Sequence, residues 1–182
     1  DFLAMGELEY YVFAPREEFY PGEDQKGYHA SEPFTKFEYI RNEAMLMLAK
    51  AGSLIKYGHS EVGCFTDGDI YYEQHEIEFL PAPVEHAAEQ IVLAKWVLRK
   101  LGHQYGINIS FAPKILMGNA GSGMHFHIMV EKDGENMTTS GDRLSDLTRK
   151  MIAGILDSAD ALTAFGNTVP TSYLRLVPQQ EA

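Results

Sequence analysis

The stretch Gly121-Ser122-Gly123-Met124-His125-Phe126-His127 places a glycine-rich turn directly before two histidines that one residue separates. Residues two apart on a β-strand point to the same face of the sheet. We therefore expect His125 and His127 to face one ligand together, after a turn whose glycines let a ligand approach the backbone. The sequence predicts a strand over 124–130 that carries this pair.

Carboxylates elsewhere in the chain extend the histidine pair into a candidate metal centre. Glu7 and Glu9 form a second pair two residues apart, in a segment (7–13) whose aromatic and Val residues predict a strand. Glu61 and Glu76 lie between the two pairs in the chain. Four carboxylates with imidazole suit a pair of hard divalent cations, Mg²⁺ or Mn²⁺, better than zinc.

The composition limits the classes of function. The chain has 182 residues, of which 45% are hydrophobic, so we expect one domain with a proper core. Its formal net charge of -11 argues against nucleic acid and against an anionic membrane surface as partners. The single cysteine, Cys64, excludes an internal disulfide, which fits a reducing compartment, and we expect it in or near the core.

The ends of the chain and its hydropathy complete this picture. The sequence has no apolar run of about 18 or more residues and no signal peptide at its start, so we expect a cytoplasmic protein without a membrane partner. It begins Asp1-Phe2-Leu3, without an initiator methionine, and it stops just after a well-patterned segment. We therefore expect it to be a piece of a larger protein.

The periodicity of apolar residues predicts an α+β domain, with helices packed on a largely antiparallel sheet. Strands are predicted over 7–13, 54–63, 70–79, 107–117 and 124–130. A turn at 66–69 joins the second and third of these strands, and the last two are expected to form a hairpin. Helices are predicted over 34–50, 84–105 and 142–165.

Five motifs in this chain occur in an order that is known from one enzyme family. They are Glu7-x-Glu9, His59-Ser60-Glu61-Val62-Gly63, Gln74-His75-Glu76-Ile77, the stretch 121–127, and Ser172-Tyr173-Leu174-Arg175-Leu176-Val177-Pro178. Together they resemble the catalytic domain of glutamine synthetases over nearly the whole chain. The resemblance implies that 1–182 is a portion of such a domain, without the family's N-terminal β domain and its C-terminal remainder.

The resemblance implies a ligase that joins ammonia to the γ-carboxylate of glutamate. The reaction uses ATP, passes through an acyl phosphate and needs two divalent ions, Mg²⁺ or Mn²⁺. Phosphoryl transfer leaves the protein mainly the tasks of positioning groups and neutralising charge. The resemblance also implies a ring-shaped homo-oligomer for the full-length protein, and we expect 1–182 alone to be inactive.

The resemblance implies two sets of metal ligands. Glu9, Glu61 and Glu76 resemble the carboxylates around the ion nearer the substrate glutamate. Glu7 and His125 resemble ligands of the second ion, which sits on the nucleotide phosphates.

The remaining matches imply contacts with the substrates. His127 resembles the histidine that contacts the nucleotide phosphates, and Gly121 the glycine whose backbone meets the amino group of glutamate. Arg175 resembles the arginine that binds the substrate carboxylate with a forked, permanent charge. Glu181 falls where the family has a flap glutamate, which closes the site and helps to take a proton from ammonium.

The chain departs from the family pattern at several positions. Glu61 and Glu76 are further apart than the corresponding family glutamates, so we expect a longer hairpin that returns Glu76 to the same place, with Glu73 as the alternative ligand. The other replacements are Ala120 for Asn, Met129 for Ser, and Gln179-Gln180 for Gly-Tyr in the flap. Because ammonium would bind at the flap, the last change leaves the amine substrate open.

Three functions therefore remain as alternatives. The first is a glutamate–ammonia ligase. The second is a relative that joins glutamate to another amine, such as a polyamine. The third is a non-catalytic subunit that only binds nucleotide or glutamate.

Each candidate residue also has a simpler interpretation when it is taken alone. Glu7 and Glu9 are typical of solvated charges on an edge strand, where charges discourage aggregation. Ordinary surface or ion-pair positions are the simpler interpretation of Glu61, Glu76 and Arg175. For His59, which lies beside Glu61, a supporting position behind the metal ligands and a surface or capping position are equal alternatives.

Overall fold

The computed structural model describes residues 1–176 of the chain. In chain order its elements are β1 (Phe2–Pro15), α1 (Glu38–Lys50), β2 (Ile55–Asp67), β3 (Ile70–Phe79), β4 (Ala82–Pro83), α2 (Val84–Tyr105), β5 (Asn108–Ser110), β6 (Met124–Lys132), β7 (Glu135–Asn136), β8 (Thr139–Ser140), β9 (Arg143–Leu144), α3 (Asp146–Asp157), α4 (Ala159–Gly166) and a 3-10 helix (Pro170–Arg175).

The long strand β1 organises the sheet. It pairs with β3 along one edge and with β6 along the other, and β2 and β7 extend the sheet outward to give the order β2-β3-β1-β6-β7. The short strands β4 and β5 also pair with β1. Every strand pair in the described part of the chain is antiparallel, which confirms the predicted α+β fold with a largely antiparallel sheet.

The two faces of β1 differ because its side chains alternate. Leu8, Tyr10 and Val12 point into the core, where aromatic and β-branched residues suit a buried strand. The core is completed by apolar residues of the two long helices, mainly Ile40, Ala44 and Leu48 from α1 and Ile91, Ala94 and Leu98 from α2. Glu7 and Glu9 therefore lie on the opposite face of the sheet, which α1 and α2 leave uncovered.

The bounds of α2 agree with the prediction of a helix over 84–105. Pro83 stands at the N-cap, where its missing N–H costs nothing, and Gly106 ends the helix with a left-handed φ of 67°. The apolar stripe predicted for the first helix is also buried, but α1 begins only at Glu38. Cys64 is buried in the core as predicted.

The predicted hairpin of 107–117 with 124–130 is wrong. β5 pairs with Tyr11–Phe13 and β6 with Phe2–Leu8, so both strands lie on the same edge of β1. Because each is antiparallel to β1, they run in the same direction and cannot pair as a hairpin. Pro113, which lacks a backbone N–H, follows β5 closely and cannot continue the ladder.

The predicted helix over 142–165 is divided in the structure. Arg143–Leu144 belongs to a small hairpin with Thr139–Ser140, and α3 begins only after Ser145, whose Oγ accepts the Thr148 N–H at 3.1 Å. Ser158, with φ -99° and ψ 10°, then separates α3 from α4. Within residues 1–176, no helix combines the length and the apolar character that crossing a membrane requires.

Candidate active site

A cleft of about 240 Å³ opens on the face of the sheet that carries Glu7 and Glu9. Glu61, Glu76 and His125 also line it, so the structure brings all five predicted metal ligands to one cleft. The other lining residues are Tyr28, Val62, Gln74, Ala120 and Gly121.

Strand register explains why residues so distant in the chain meet. Glu7 lies opposite His125 of β6, and Glu9 lies opposite Glu76 of β3. Because β1 has a neighbour on each side, the edge-strand interpretation of Glu7 and Glu9 is wrong. Glu9 and Glu76 are only 8% and 6% exposed, so neither is a solvated surface charge.

A bulge in β2 places Glu61. The ladder between β2 and β3 pairs Ser60 with His75 and resumes where Cys64 pairs with Glu73. Between these two pairs β2 has two more residues than β3, which defines the bulge. The backbone carbonyls of the bulged segment are satisfied by the 16–37 loop, since Gly27 N–H donates to Val62 O at 3.2 Å and His29 N–H to Ser60 O at 2.9 Å. The bulge thus carries Glu61 into the same cleft as Glu76 and accommodates the longer spacing.

Glu73 faces away from this cleft. It lies an odd number of residues from Glu76 on β3, so its side chain points to the helix side of the sheet. Its carboxylate accepts the backbone N–H groups of Lys36 at 2.7 Å and Phe37 at 3.2 Å. Glu73 is therefore not an alternative ligand in this structure.

Gln74 fixes the geometry of the cleft from three sides. Its Oε1 accepts the Gly63 N–H at 3.0 Å, which replaces a ladder bond lost at the bulge. Its Nε2 donates to Glu9 Oε2 at 2.9 Å and to Gly121 O at 2.8 Å. The sequence reasoning gave Gln74 no role, although its spacing of two from Glu76 indicates the same face of β3.

The oxygen and nitrogen atoms of the cleft fit a divalent cation. One ligand atom each from Glu7, Glu76 and His125 lies within 4.8 Å of the others. Glu76 Oε1 is buried and has no hydrogen-bond partner, an expensive state that a bound cation would relieve. This set takes residues from both predicted ligand groups, so the side chains alone do not separate two sites.

The two histidines of β6 both approach Glu7. His127 Nε2 lies 2.9 Å from Glu7 Oε1, and His125 Nδ1 lies 3.4 Å from Glu7 Oε2. Both imidazole side chains are more than half exposed, at 51% and 61%, so a ligand can still reach them. The pair faces one side of the sheet, as the spacing predicts.

His59 is buried among carboxylates, contrary to its interpretation as a surface or capping residue. Its Nε2 lies 3.1 Å from Glu76 Oε2, and its Nδ1 lies 3.5 Å from Glu61 Oε1. Burial lowers the pKa of His59, but hydrogen bonds to Glu76 and the Ser60 carbonyl, with the nearby carboxylate charges, raise it overall to about 9. A positive His59 partly neutralises the two glutamates when no cation is bound.

Glu78 is a further buried carboxylate that the sequence reasoning missed. It is 4% exposed, its Oε2 lies 2.6 Å from Lys56 Nζ, and its Oε1 lies 3.6 Å from His59 Nε2. Burial would raise the pKa of Glu78, but hydrogen bonds from Lys56 and Tyr57 lower it. The alternation Gln74, Glu76, Glu78 along β3 is the signal that would have identified it.

Arg175 lies behind the cleft rather than in it. Its Nη1 donates to Ser122 O at 3.3 Å and its Nη2 to Asn167 Oδ1 at 2.9 Å. The space beside Gly121 Cα is filled by the Pro113 carbonyl and by Arg175, since a Cβ there would lie 2.9 Å from Pro113 O and 3.1 Å from Arg175 Cγ. Among the described residues Arg175 makes no ion pair, which argues against the surface ion-pair interpretation. Glu181, like Gln179 and Gln180, lies outside the described residues.

Comparison with known proteins identifies the family. The sequence profile described as "Glutamine synthetase, catalytic domain" matches residues 1–182. The glutamine synthetase of Pyrococcus furiosus is 36% identical over 159 residues, which cover 87% of this chain and 34% of that protein. The Thermus thermophilus glutamine synthetase is 34% identical over 182 residues, with 97% of this chain and 39% of that protein covered.

A solved structure shows the same fold. The cryo-EM structure of Plasmodium falciparum glutamine synthetase matches 98% of this chain and 40% of that chain, with a TM-score of 0.85 and 21% sequence identity. The chain thus spans between a third and two fifths of the length of these relatives. The profile match over the full sequence and the carboxylate cleft on this fold lead to one conclusion: the chain belongs to the glutamine synthetase catalytic-domain family.

Proposed function

We propose that this chain forms part of the catalytic domain of an ATP-dependent ligase, which joins ammonia to the γ-carboxylate of glutamate through an acyl phosphate. The observation that carries the proposal is the convergence of Glu7, Glu76 and His125 in one cleft, where Glu76 Oε1 is buried without a hydrogen-bond partner. Membership of the family supplies the class of reaction.

Two divalent ions, Mg²⁺ or Mn²⁺, are part of the proposal. Glu9, Glu61 and Glu76 would hold the ion nearer glutamate, and Glu7 and His125 would hold the ion nearer the nucleotide. When bound, the ions neutralise the phosphate oxygens and the attacking carboxylate, which would otherwise repel each other. Carboxylate and imidazole ligands suit these ions.

The protein's own groups would position the reactants. Gln74 Nε2 holds the Gly121 carbonyl, and Glu9 Oε2 accepts the Gly123 N–H at 2.8 Å, so the backbone that would meet the amino group of glutamate is fixed. Arg175 donates to neutral oxygens only, which leaves its charge available for the substrate carboxylate. His127, exposed beside Glu7, would contact the nucleotide phosphates, and Glu181 would close the site and take a proton from ammonium.

The proposal extends to the full-length protein. We infer a cytoplasmic, ring-shaped homo-oligomer that uses ATP, glutamate and ammonia. Residues 1–182 alone would be inactive, because the chain spans only a part of its relatives and the acyl phosphate must be shielded from water by a complete site.

A second candidate is a ligase for glutamate and a larger amine. Tyr28 lines the cleft, and its ring lies 5.4 Å from that of His59, beside Glu61. An aromatic ring next to carboxylates can hold the apolar part and the charge of an alkylammonium ion. The replacements at Gln179 and Gln180 support the same alternative. A non-catalytic subunit remains the third alternative.

ADP release by the full-length protein tests the proposal. The assay contains Mg²⁺ or Mn²⁺, ATP and glutamate, and compares ammonium with a panel of amines. ADP release that ammonium stimulates supports a glutamate–ammonia ligase. ADP release only with another amine supports a ligase for glutamate and that amine. No release with any amine, from protein shown to be folded, contradicts both and favours the non-catalytic subunit.

A further inference from the structure

A second cavity, of about 490 Å³, lies behind the Gly121–Gly123 turn, between α2 and the segment that follows α4. Its charged lining is mainly cationic, with Lys95 and Arg99 of α2 on one side and Arg175 on the other. Phe111, Met124 and Phe126 supply apolar surface. Its volume falls in the range of sites for organic ligands.

Lys95 and Arg99 form a pair of like charges without a carboxylate. They lie four residues apart on α2, where like charges repel. Both contact the ring of Phe111, with Arg99 Cζ 4.8 Å and Lys95 Nζ 5.7 Å from its centroid. Within residues 1–176 neither meets an acidic side chain, although the chain has 26 acidic residues against 15 basic ones.

Arg175 is a third cation in the cavity wall, and its hydrogen bonds go to neutral oxygens of Ser122, Asn167 and Ser172. Lys114 is buried nearby, and burial, followed by the charge of Arg175, lowers its pKa. Its Nζ has no hydrogen-bond partner in the described part of the chain.

The one carboxylate among the described residues of the cavity wall, Glu9, already accepts hydrogen bonds from Gln74 and Gly123.

Ser122 is an independent sign of a ligand at this place. It lines the cavity, it is 6% exposed, and its Oγ is buried without a hydrogen-bond partner. A buried hydroxyl without a partner is costly, so native proteins satisfy nearly all of them. An oxyanion is bound by hydrogen-bond donors and positive charges. The Ser122 hydroxyl and the nearby cations offer both.

We propose that this cavity binds an organic anion, in which a carboxylate or phosphate group is joined to an apolar body. The charged group meets Lys95, Arg99 and Ser122. The apolar body rests on Phe111, Met124 and Phe126. The cavity lies on the other side of the Gly121–Gly123 turn from the carboxylate cleft, which it meets at Glu9. The proposal does not depend on the proposed ligase activity, because Lys95 and Arg99 have no part in the proposed ligase site.

Isothermal titration calorimetry with two probes tests the site. Phenyl phosphate and phenylacetate share an apolar ring and carry the two candidate anionic groups, so the tighter of them identifies the group. Benzyl alcohol, which has the ring without the charge, and inorganic phosphate, which has the charge without the ring, are the controls. We expect at least one ring-bearing anion to bind more tightly than either control, and rising NaCl to weaken it.

Substitutions locate the binding. Arg99→Gln and Lys95→Gln should each weaken the anion about tenfold or more. Lys100→Gln removes the same charge from the same helix, at a residue that lies 5.7 Å from the Trp96 ring and does not line the cavity, so it should change affinity by no more than about twofold. Circular dichroism confirms folding, and Lys95→Gln serves if Arg99→Gln does not fold.

Three results would overturn the proposal. One is the absence of binding by both anions, and another is equal binding of benzyl alcohol. The third is an affinity of the Arg99 and Lys95 variants equal to that of the unsubstituted chain, which would place any bound anion elsewhere.

Discussion

Gln74 joins three parts of the cleft that no local pattern connects. One amide side chain accepts from the bulge of β2 and donates to β1 and to the Gly121 turn. Only an amide offers both an acceptor and two donors in one planar group. The residue is 1% exposed, so none of these groups can exchange its partner for water.

Gln74→Glu should therefore lower the free energy of unfolding by about 2–4 kcal/mol. The carboxylate keeps the shape of the amide, but it cannot donate to Glu9 or Gly121 and adds a negative charge beside Glu9. Gln104→Glu, at an exposed position on α2, is the matched control. Urea unfolding of both variants measures the difference, and equal loss of stability in the two would contradict the role given to Gln74.

Single residues also show how far the sequence can predict the site. Glu7, Glu9, His125 and His127 were predictable because a spacing of two on a strand fixes a common face. Gln74 and Glu78 have the same spacing from Glu76, but their roles depend on partners far along the chain. Arg175 was matched to a motif, yet its position behind Gly121 follows from the packing of the 3-10 helix, which no local spacing encodes.

Because side chains alternate along β3, its polar residues fall into two groups on opposite faces of the sheet. Gln74, Glu76 and Glu78 belong to the cleft face, whereas Glu73 and His75 belong to the helix face. Arg41 Nη1 lies 2.9 Å from His75 Nδ1, a contact in which arginine can only donate. His75 Nε2 lies 2.7 Å from Glu73 Oε1, so Arg41, His75 and Glu73 lie side by side in a buried polar row under α1.

Glu73 should contribute to stability against acid. Burial would raise the pKa of Glu73, but the His75 side chain and the backbone N–H groups of Lys36 and Phe37 lower it below the ordinary value of 4.5. The charged or titratable groups around it are His75, Tyr10, Tyr71 and Cys64, with Arg41 beyond His75. A lowered pKa gives stability that is complete above the ordinary value and is lost as the pH falls through the folded-state value.

Glu73→Gln removes this contribution, so below about pH 5 the unfolding of this variant should take up fewer protons than unfolding of the unsubstituted chain, by up to about one. Urea unfolding at a series of pH values measures the slope of stability against pH. Glu89→Gln, at an exposed position on α2, should keep the slope of the unsubstituted chain. An unchanged slope in Glu73→Gln would show that Glu73 has no such lowered pKa.

Elements were predictable where the pattern was local and continuous. The apolar stripe of α2, with proline before it and glycine after it, predicts both ends of the helix. The pairing partner of a strand is harder to predict from sequence. β5 and β6 pair with β1, which lies about a hundred residues away in the chain, whereas their closeness to each other in sequence suggested a hairpin. The bulge of β2 depends likewise on the 16–37 loop, whose N–H groups replace the interrupted ladder.

The whole molecule is strongly acidic, and one cleft on the sheet gathers four of its carboxylates. The net charge is -11, and the cleft gathers Glu7, Glu9, Glu61 and Glu76. Buried or half-buried carboxylates that line one cleft repel each other. His59, close to Glu76 and Glu61, offsets only part of this repulsion. The fold therefore retains a local instability that a divalent cation can remove.

Mn²⁺ should accordingly stabilise the whole chain against heat. A cation that binds only the folded state at about 100 times its Kd adds about 2.7 kcal/mol for each site, or roughly 5–11 °C in Tm for a chain of this length. Calorimetry with Mn²⁺, and with NaCl at equal ionic strength, separates binding from screening. Glu76→Gln should lose most of the Mn²⁺ effect because it removes the charge of the carboxylate that lies close to both Glu7 and His125 and whose buried Oε1 has no hydrogen-bond partner, whereas Glu89→Gln should retain it. An equal rise in Tm with NaCl, or an undiminished Mn²⁺ effect in Glu76→Gln, would mean that the cleft is an acidic surface rather than a metal centre.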